Sequence, residues 1–466
     1  MIRLLKTPSN KRKFVVFVGD VIIMAAIMSF LVFFHAFLVR YTVVRNIARP
    51  FKPYALYICP LVHVLISYIF EAYAIRKREK LRTLVSLSII SFLSFCLLFS
   101  LAKVIRINQT TMIYIFAFFV ISPSALYLWR SVCRKVLLLS RKFIKERVLF
   151  IGTDVITEDL LDVMKSHDYK VLGLLTEYES QSLDKPRNLR HLGLWNMLQS
   201  IVDKRKVDSI VTAENIYLPL EIMKAIYRNK MRGVIVHNSA YFYEIITRRV
   251  AIKYHLKSDR IPYFDLDAFS KPMARQTKRI VDCVAAILLF VLVSPVFAAI
   301  MILIKLTSKG SIFFIQRRIG FQEEPFNLIK FRTMIVNAEK ENEPQWSKEN
   351  DSRVTAAGRF LRRTRLDELP QLINICKGDM SFIGPRPIRQ HFARIIEETM
   401  PFYSLRFTIK PGLTGWAQVN YDYGGTIEGH IEKFQHDLYY IKHASLFLDL
   451  LIILKTIQTV LLRPSQ

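Results

Sequence analysis

The sequence has few cysteines, and their spacing does not suggest metal ligands or disulfides. The five cysteines of the 466-residue chain are scattered and odd in number, and no Cys-x-x-Cys pair occurs. Structural zinc sites need closely spaced ligand pairs, and disulfide scaffolds need a dense, even cysteine pattern. Neither class is indicated, and the pattern is consistent with a reducing compartment.

Several motifs that would direct a functional assignment are also missing. No Gly-x-Gly-x-x-Gly run occurs, so the glycines that let a backbone approach a pyrophosphate are absent. No recognition motif of a nucleic-acid-binding fold is found. The first apolar run lacks a convincing small-residue cleavage site, which argues against a cleaved signal peptide.

Acidic residues are scarce relative to basic ones. The chain has 67 Lys and Arg against 38 Asp and Glu, a formal net charge of +29. This balance suits anionic lipid or nucleotide phosphates, and the basic residues cluster beside apolar runs, so nucleic acid is not the expected partner. With 52% apolar residues and a mean hydropathy of +0.24, membrane segments are expected. A positive-inside bias then explains a good part of the charge.

Four apolar runs in residues 1–146 are candidates for membrane-spanning helices, each of which takes about 20 apolar residues. The runs are 14–39, 54–74, 84–105 and 112–129. Basic clusters before the first run, between the second and third, and after the fourth all lie on the cytoplasmic side if the N-terminus is inside. Four basic residues between the first two runs would lie on the opposite side of the membrane. The distribution of basic residues therefore favours this orientation without proving it.

Residues 147–256 alternate between short apolar strands and amphipathic helices, a pattern typical of a parallel sheet. Strands are predicted at 147–153, 169–175, 208–213 and 233–238, and helices at 157–166, 196–205 and 219–229. The first strand is followed by Gly152-Thr153-Asp154. The module is therefore Rossmann-like but degenerate, and a structural, regulatory or oligomerising role is favoured over dinucleotide binding.

An adjacent pair of carboxylates, Asp367 and Glu368, stands at the centre of the stretch 353–387. Nearby are five arginines: Arg359, Arg362, Arg363, Arg365 and Arg386. Acids among that many cations suggest a site for phosphates and a divalent metal, which needs hard oxygen ligands. The alternative is an ordinary solvated helix start.

The local structure around this pair follows from Pro370. A basic helix is predicted over Gly358 to Leu366, and Pro370 disfavours the α region at Leu369. We expect a second helix to begin with Asp367 as its N-cap and Pro370 in its first turn, where the missing N–H costs little.

Five motifs together resemble a known family. They are QRRIG (316–320), KFRTM (330–334), RVTAAGRFLRRTRLDELPQL (353–372), GDMSFIGPRP (378–387) and KPGLTGWAQVN (410–420). In content and order they are similar to the bacterial sugar transferases, polyprenyl-phosphate hexose-1-phosphate transferases also called monotopic phosphoglycosyl transferases. The resemblance covers about residues 274–466. The rest of the chain resembles the large form of the family, which carries extra membrane helices and a Rossmann-like module.

The resemblance implies a membrane protein of α and α/β class. Residues 1–146 would form a four-helix transmembrane bundle, 147–256 the Rossmann-like module, and 257–466 the monotopic catalytic domain, after a linker at 257–277. Its apolar helix, 280–306, contains Ser294 and Pro295. A kinked spanning helix is one interpretation, but after four spans a fifth would place Asp367 outside, so we predict re-entry into the same leaflet.

The resemblance also implies a reaction. A UDP-sugar would donate hexose-1-phosphate to undecaprenyl phosphate at the bacterial inner membrane, with release of UMP, as the first membrane step of exopolysaccharide, O-antigen or capsule synthesis. Asp367 would be the covalent nucleophile and Glu368 the Mg²⁺ ligand. The expected phosphate contacts, each equally compatible with a surface cation, are Arg318, Lys330, Arg332 and Arg386.

Other interpretations remain open at this point. The chain could be a non-catalytic scaffold or regulator of polysaccharide assembly, or a glycosyltransferase that makes a glycosidic bond. A homo-oligomer is also left open. The C-terminal run 444–462 mixes apolar residues with Asp449 and Lys455, which favours an interfacial amphipathic helix over a spanning one.

Overall fold

The computed structural model of the protein describes most of the chain. The described residues are 8–41, 57–69, parts of 87–99, 109–139, 145–167, 169–178, 189–214, 216–255, 272–307, 310–335, 353–421 and 426–462. The polar segment 336–352, which is predicted to be a loop, and most of the loop predicted at 421–425 lie outside these ranges. The chain divides into two compact units, Met1–His237 and Asn238–Gln466. It is mostly helical, with a parallel sheet and several apolar helices compatible with a membrane protein.

Long apolar helices open the N-terminal unit. Helix α1 is Pro8–Tyr41, α2 is Ile58–Ile69 and α3 is Gln109–Leu139, and further helical residues occur among 87–99. Met24 and Leu31 of α1 pack with Ile115 and Phe118 of α3 in a buried cluster. Within the described ranges, 15–37 and 111–133 are long and apolar enough to cross a membrane. The predicted runs 54–74 and 84–105 are described only in part, so the four-helix bundle stays a prediction.

The predicted parallel sheet of the α/β module is confirmed. Its described strands are β1 Glu146–Ile151, β2 Tyr169–Thr176, β3 His191–Leu194, β4 Ser209–Thr212 and β5 Ile235–Asn238, in the order β3-β2-β1-β4-β5. Helices α4 (Thr157–Lys165), α5 (Leu198–Arg205) and α6 (Leu220–Met231) match the predicted ones. The sequence did not predict β3, which is a four-residue, half-buried strand containing Gly193.

The turn after β1 shows how this module differs from a dinucleotide-binding one. One carboxylate oxygen of Asp154 accepts hydrogen bonds from the Ile156 N–H (3.1 Å) and the Thr157 hydroxyl (2.8 Å). The other accepts the Glu214 N–H at 2.9 Å. In a Rossmann fold the pyrophosphate lies at the start of this helix. Here a carboxylate occupies that position, and its charge disfavours a second anion.

The C-terminal unit contains the motif-bearing residues. Its described helices are α7 Ser239–Thr247, α8 Ile252–His255, α9 Pro272–Thr307, α10 Ala356–Thr364, α11 Gln371–Lys377, α12 Gln390–Thr399, α13 Trp416–Asn420, α14 Ile427–His443 and α15 Leu446–Leu462. Strands β6 Phe313–Ile319 and β7 Pro325–Phe331 form an antiparallel hairpin, and β8 Ser381–Ile383 pairs in parallel with β9 Gly412–Thr414.

Helix α9 is the long apolar element of this unit, and 275–307 is long and apolar enough to cross a membrane. It begins at Pro272, so the end of the predicted linker, 272–277, is helical. The helix continues through Pro295, and the Ser294 hydroxyl donates to the Val291 carbonyl at 2.8 Å. A serine hydroxyl can make this bond to a carbonyl one turn earlier in a helix, whereas re-entry of the helix stays a prediction.

Both halves of α9 pack on helices that belong to the motif 353–372 or continue from it. Ala286 lies in one buried cluster with Leu372 and Ile375 of α11. Phe297 lies in another with Leu361 of α10, and Leu366 and Leu369 pack against that second cluster. Apolar burial on α9 therefore holds both the segment 366–369 and the helix α11 that follows it.

The acidic residue of the C-terminal helix α15, Asp449, lies inside the C-terminal unit. Asp449 is buried and accepts hydrogen bonds from Lys278 Nζ and from the Tyr440 hydroxyl, each at 2.6 Å. A buried carboxylate held by a cation and a hydroxyl is satisfied inside the unit. The choice between an interfacial and a spanning α15 stays a prediction.

Candidate active site

The carboxylate pair lies in a short turn between two helices. Thr355 caps α10 by accepting the Gly358 N–H at 2.9 Å, and α10 ends at Arg365, which has a left-handed φ of 58°. A 3₁₀ turn, Leu366–Glu368, follows, and Pro370 is the N-cap of α11. The prediction that Asp367 is that N-cap is therefore wrong. The left-handed Arg365 ends the first helix early, and the chain then needs one tight turn before Pro370 starts the next.

Gly358 sets the distance between α10 and the end of β7. A Cβ at this position would stand 2.0 Å from the Thr333 carbonyl oxygen, which no side chain tolerates. The contact continues along the helix, because Arg362 Nε donates to the Thr333 hydroxyl at 2.9 Å. The glycine in the GRFLRR motif is thus needed for close backbone approach.

Asn374 joins α11 to β7 and was not singled out from the sequence. Its Oδ1 accepts the Ile329 N–H at 3.1 Å, and its Nδ2 donates to the Asn327 carbonyl at 2.7 Å and to Asp379 at 3.1 Å. The side chain is 1% exposed. A buried amide with both ends bonded fixes the register of the helix on the strand. The sequence feature that could have identified Asn374 is its position as a polar residue inside an otherwise apolar helical run.

Lys330 and Arg386 meet at one oxygen of Glu368. Lys330 Nζ, from β7, lies 3.2 Å from Glu368 Oε1, and Arg386 Nη2, from the loop after β8, lies 2.7 Å from the same atom. The Glu368 side chain is 13% exposed and the Arg386 side chain 45%. Three residues predicted from different motifs are thus brought together beside Asp367.

The two other predicted cations lie differently. Arg318 on β6 donates to Gln316 Oε1 at 3.0 Å and to the Pro387 carbonyl at 3.2 Å, so its guanidinium supports the Arg386 loop. Arg332 follows β7 directly, and its Nη1 is buried without a hydrogen-bond partner among the residues that the structure describes. A buried donor without an acceptor is costly, which suits a site that receives an anion.

The environment drives the pKa values of the two adjacent acids apart. Burial and the neighbouring Glu368 charge raise the pKa of Asp367, against the opposing effect of Lys330, Arg362 and Arg386. Burial also acts to raise the pKa of Glu368, but the charges and hydrogen bonds of Arg386 and Lys330 outweigh it, so this pKa lies well below its ordinary value. Opposite shifts in neighbouring carboxyl groups are typical of sites with divided roles.

The carboxylate oxygens fit a divalent cation. Asp367 and the Oε2 atom of Glu368 accept no hydrogen bond from the described part of the chain, whereas Oε1 of Glu368 accepts two. The described residues contain no group of three His, Cys, Asp or Glu side chains placed to hold a metal. Mg²⁺ usually binds proteins through one or two carboxylates and takes its other ligands from water and substrate phosphates. The residues present meet that requirement.

Comparison with known proteins agrees with the motif order. The family model described as Bacterial sugar transferase matches residues 273–463. The exopolysaccharide production protein ExoY of Rhizobium meliloti is 36% identical over 206 residues, which cover 41% of this chain and 88% of that protein. The chain belongs to the bacterial sugar transferase family. The predicted resemblance over residues 274–466 is confirmed.

Other members of the family extend the match. A UDP-N-acetylgalactosamine-undecaprenyl-phosphate N-acetylgalactosaminephosphotransferase of Aeromonas hydrophila is 36% identical over 294 residues, 63% of this chain and 65% of that protein. A UDP-glucose:undecaprenyl-phosphate glucose-1-phosphate transferase of Escherichia coli is 41% identical over 185 residues, 39% of this chain and 40% of that protein. The chain thus matches less than two thirds of the length of these two relatives.

Proposed function

We propose that the protein transfers hexose-1-phosphate from a UDP-sugar to undecaprenyl phosphate and releases UMP. The observation that carries the proposal is the arrangement at Glu368, where Lys330 and Arg386 converge on one oxygen beside Asp367. Two cations beside two acids can hold a diphosphate while one acid reacts. The names of the relatives, which combine a UDP-sugar with undecaprenyl phosphate, support the same substrates.

The proposed reaction has two displacements at one phosphorus. An oxygen of Asp367 attacks the β-phosphorus of the donor, the bond to the bridging oxygen breaks, and UMP leaves with that electron pair. The sugar phosphate is then held as an acyl phosphate on Asp367. An oxygen of undecaprenyl phosphate then attacks the same phosphorus, the bond from that phosphorus to the Asp367 oxygen breaks, and the carboxylate is freed, so that one displacement is replaced by two successive ones.

The surrounding side chains have separate roles in this proposal. Glu368 would hold Mg²⁺, which would neutralise charge on the diphosphate. Lys330, Arg332 and Arg386 would contact phosphate oxygens as charge gathers on them. The contacts of Arg318 with Gln316 and the Pro387 carbonyl favour a supporting role next to any phosphate contact.

The proposal places the protein in the bacterial inner membrane. Four N-terminal spans and a re-entrant α9, broken at Ser294-Pro295, would keep the C-terminal unit on the cytoplasmic side, where donor sugars are found. Product would enter exopolysaccharide, O-antigen or capsule synthesis. A cysteine placed at Ser311, just beyond α9, should react with a thiol reagent only after the cytoplasmic side is opened. Labelling from the outside would contradict re-entry.

A trapping experiment tests the chemistry. Full-length protein in membranes is incubated with a donor carrying a labelled β-phosphate, without lipid acceptor. Wild-type protein should retain label and release one equivalent of UMP, whereas Asp367→Asn should do neither while still folded. If wild-type protein turned over normally but retained no label, Asp367 would not be the nucleophile. Release of UDP would instead indicate a glycosyltransferase, and release of no nucleotide in a panel of UDP-sugars would indicate a scaffold.

A further inference from the structure

A cavity lies beside the first turns of the long apolar helix α9. It has a volume of about 400 Å³, and its walls are mainly apolar, with contributions from Ile280, Phe321, Ile383 and Ile409. Four cations also line it, against one acid, Asp282. The cations are Arg275, Lys278, Arg279 and Lys410. Apolar walls with a cationic lining suit an amphiphile that has an anionic head group.

Two of these cations converge at one point. Arg279 Cζ lies 3.2 Å, and Lys410 Nζ 3.4 Å, from the position that a Cβ would take at Gly378. Arg279 donates to the carbonyl of Cys376 at 2.6 Å and to that of Ile375. Lys410 has neither a hydrogen bond nor an ion pair with any residue that the structure describes. Its ammonium, which is half-buried, is therefore available to bind an anion in the cavity.

The electrostatics of Lys410 point the same way. Burial lowers the pKa of its ammonium, the charge of Arg279 lowers it further, and Asp282 and Asp379 offset only part of this effect. An anion between Lys410 and Arg279 would relieve the repulsion and restore the charged form.

This site is separate from the carboxylate pair. Gly378 is the left-handed residue that ends α11, whereas Asp367 precedes the start of that helix. Helix α11 has seven residues, so its two ends are about 10 Å apart. A phosphate held by Lys410 and Arg279 therefore lies too far from Asp367 to be the group that reacts.

We propose that the cavity beside α9 binds an anionic phospholipid of the surrounding membrane. The phosphate would lie between Lys410 and Arg279, and the first part of the acyl chains would pack on Ile280 and Ile383. The candidate membrane segment 275–307 begins at this cavity, so head group and chain meet at the level where the helix enters the bilayer. The proposal does not depend on the transferase reaction, since it concerns a resident lipid and no turnover.

Lipid binding by the full-length protein tests this. The protein is purified in a mild detergent and titrated with phosphatidylglycerol, and with phosphatidylcholine as the zwitterionic probe, in native mass spectrometry. Wild type should prefer phosphatidylglycerol. Lys410→Gln should weaken that binding about tenfold, because the neutral amide removes one charge-assisted hydrogen bond to the phosphate. Lys410→Arg should keep most of it.

The matched control is Lys305→Gln, an exposed cation in the last turn of the same helix that does not line the cavity. It should leave binding unchanged, and inorganic phosphate should not displace the lipid. If Lys410→Gln and Lys305→Gln lost phosphatidylglycerol binding equally, the binding would depend on general surface charge, and the proposed site would be wrong. Binding of polyprenyl phosphate in preference to phosphatidylglycerol would also overturn it, because the cavity would then serve the acceptor. An unchanged unfolding temperature for Lys410→Gln excludes misfolding as the cause.

Discussion

Arg406 donates a hydrogen bond from Nη2 to the main-chain oxygen of Arg386 at 2.9 Å. The same nitrogen bonds Asp437 Oδ2 at 2.9 Å, and both side chains are buried. Since Arg386 contacts Glu368 at its other end, a buried ion pair supports the loop that delivers a cation to the carboxylate site. Neither Arg406 nor Asp437 belongs to a motif that the sequence marked as functional.

Arg406→Leu should destabilise the C-terminal unit by about 3–5 kcal/mol, because it leaves the Asp437 carboxylate buried without a counter-charge. Chemical denaturation in detergent measures the change. The double variant Arg406→Leu/Asp437→Leu should recover most of the loss, since a neutral pair costs less than a lone buried charge. A double variant as unstable as the single one would show that the ion pair itself is not the cause.

Glu368→Gln should reduce UMP release about a hundredfold and raise the Mg²⁺ concentration needed for half-maximal rate. In the proposed role of Glu368 as the Mg²⁺ ligand, the amide cannot replace the charged carboxylate, and it also leaves Lys330 and Arg386 without their shared anion. A Mg²⁺ titration of initial rates with a fixed donor measures both effects. Glu398→Gln, an exposed acid on α12, is the control. If the Mg²⁺ concentration needed for half-maximal rate did not change, Glu368 would not be a metal ligand.

His436 should make stability depend on pH. Burial, with a smaller effect from the Arg249 charge, lowers the pKa of this imidazole to about 3. An unfolded histidine titrates near ~6.5, so below that pH the unfolded chain binds a proton that the folded chain refuses. Stability is therefore complete above that value and falls by about 1.4 kcal/mol per pH unit towards pH 3.

Unfolding curves at pH 7, 6 and 5 check the His436 prediction. His436→Gln should flatten the decline, whereas His391→Gln, which changes an exposed histidine on α12, should not. Parallel pH profiles for wild type and His436→Gln would assign the acid sensitivity to other groups.

Gly358→Ala should destabilise the C-terminal unit by about 1–3 kcal/mol, because the new methyl group meets the Thr333 carbonyl and α10 must move away from β7. It should also slow UMP release, since Arg365 and the turn carrying Asp367 follow α10 directly. Thermal unfolding and initial rates measure the two effects. Arg359→Ala, at the next and exposed position, should change neither. A fully stable Gly358→Ala protein would mean that the helix can shift freely.

The sequence predicted the elements of the α/β module because apolar strands and amphipathic helices alternate strongly there. It missed β3, where four residues and a glycine give no usable periodicity. The sequence identified Lys330, Glu368 and Arg386 as candidate site residues. It did not predict that they contact one another, because their motifs are far apart in the chain. Family membership over the C-terminal motifs was predicted because five motifs in order are specific.

The errors and omissions have physical causes. Asp367 was assigned as an N-cap because residue type and the following proline favour it, but a left-handed backbone at Arg365 is not visible in an arginine. Asn374 and Arg406 act through main-chain carbonyls, and sequence alone does not show which carbonyls a folded chain leaves available.

Arg279 connects α9, which contains the candidate membrane segment 275–307, to the neighbourhood of the carboxylate pair. It extends from the first turns of α9 to the carbonyls of Ile375 and Cys376, at the end of the helix that follows the carboxylate turn. The position of α9 is thereby linked to the position of the two carboxylates. A displacement of α9 would therefore be transmitted through Arg279 to α11 and to the turn that carries Asp367.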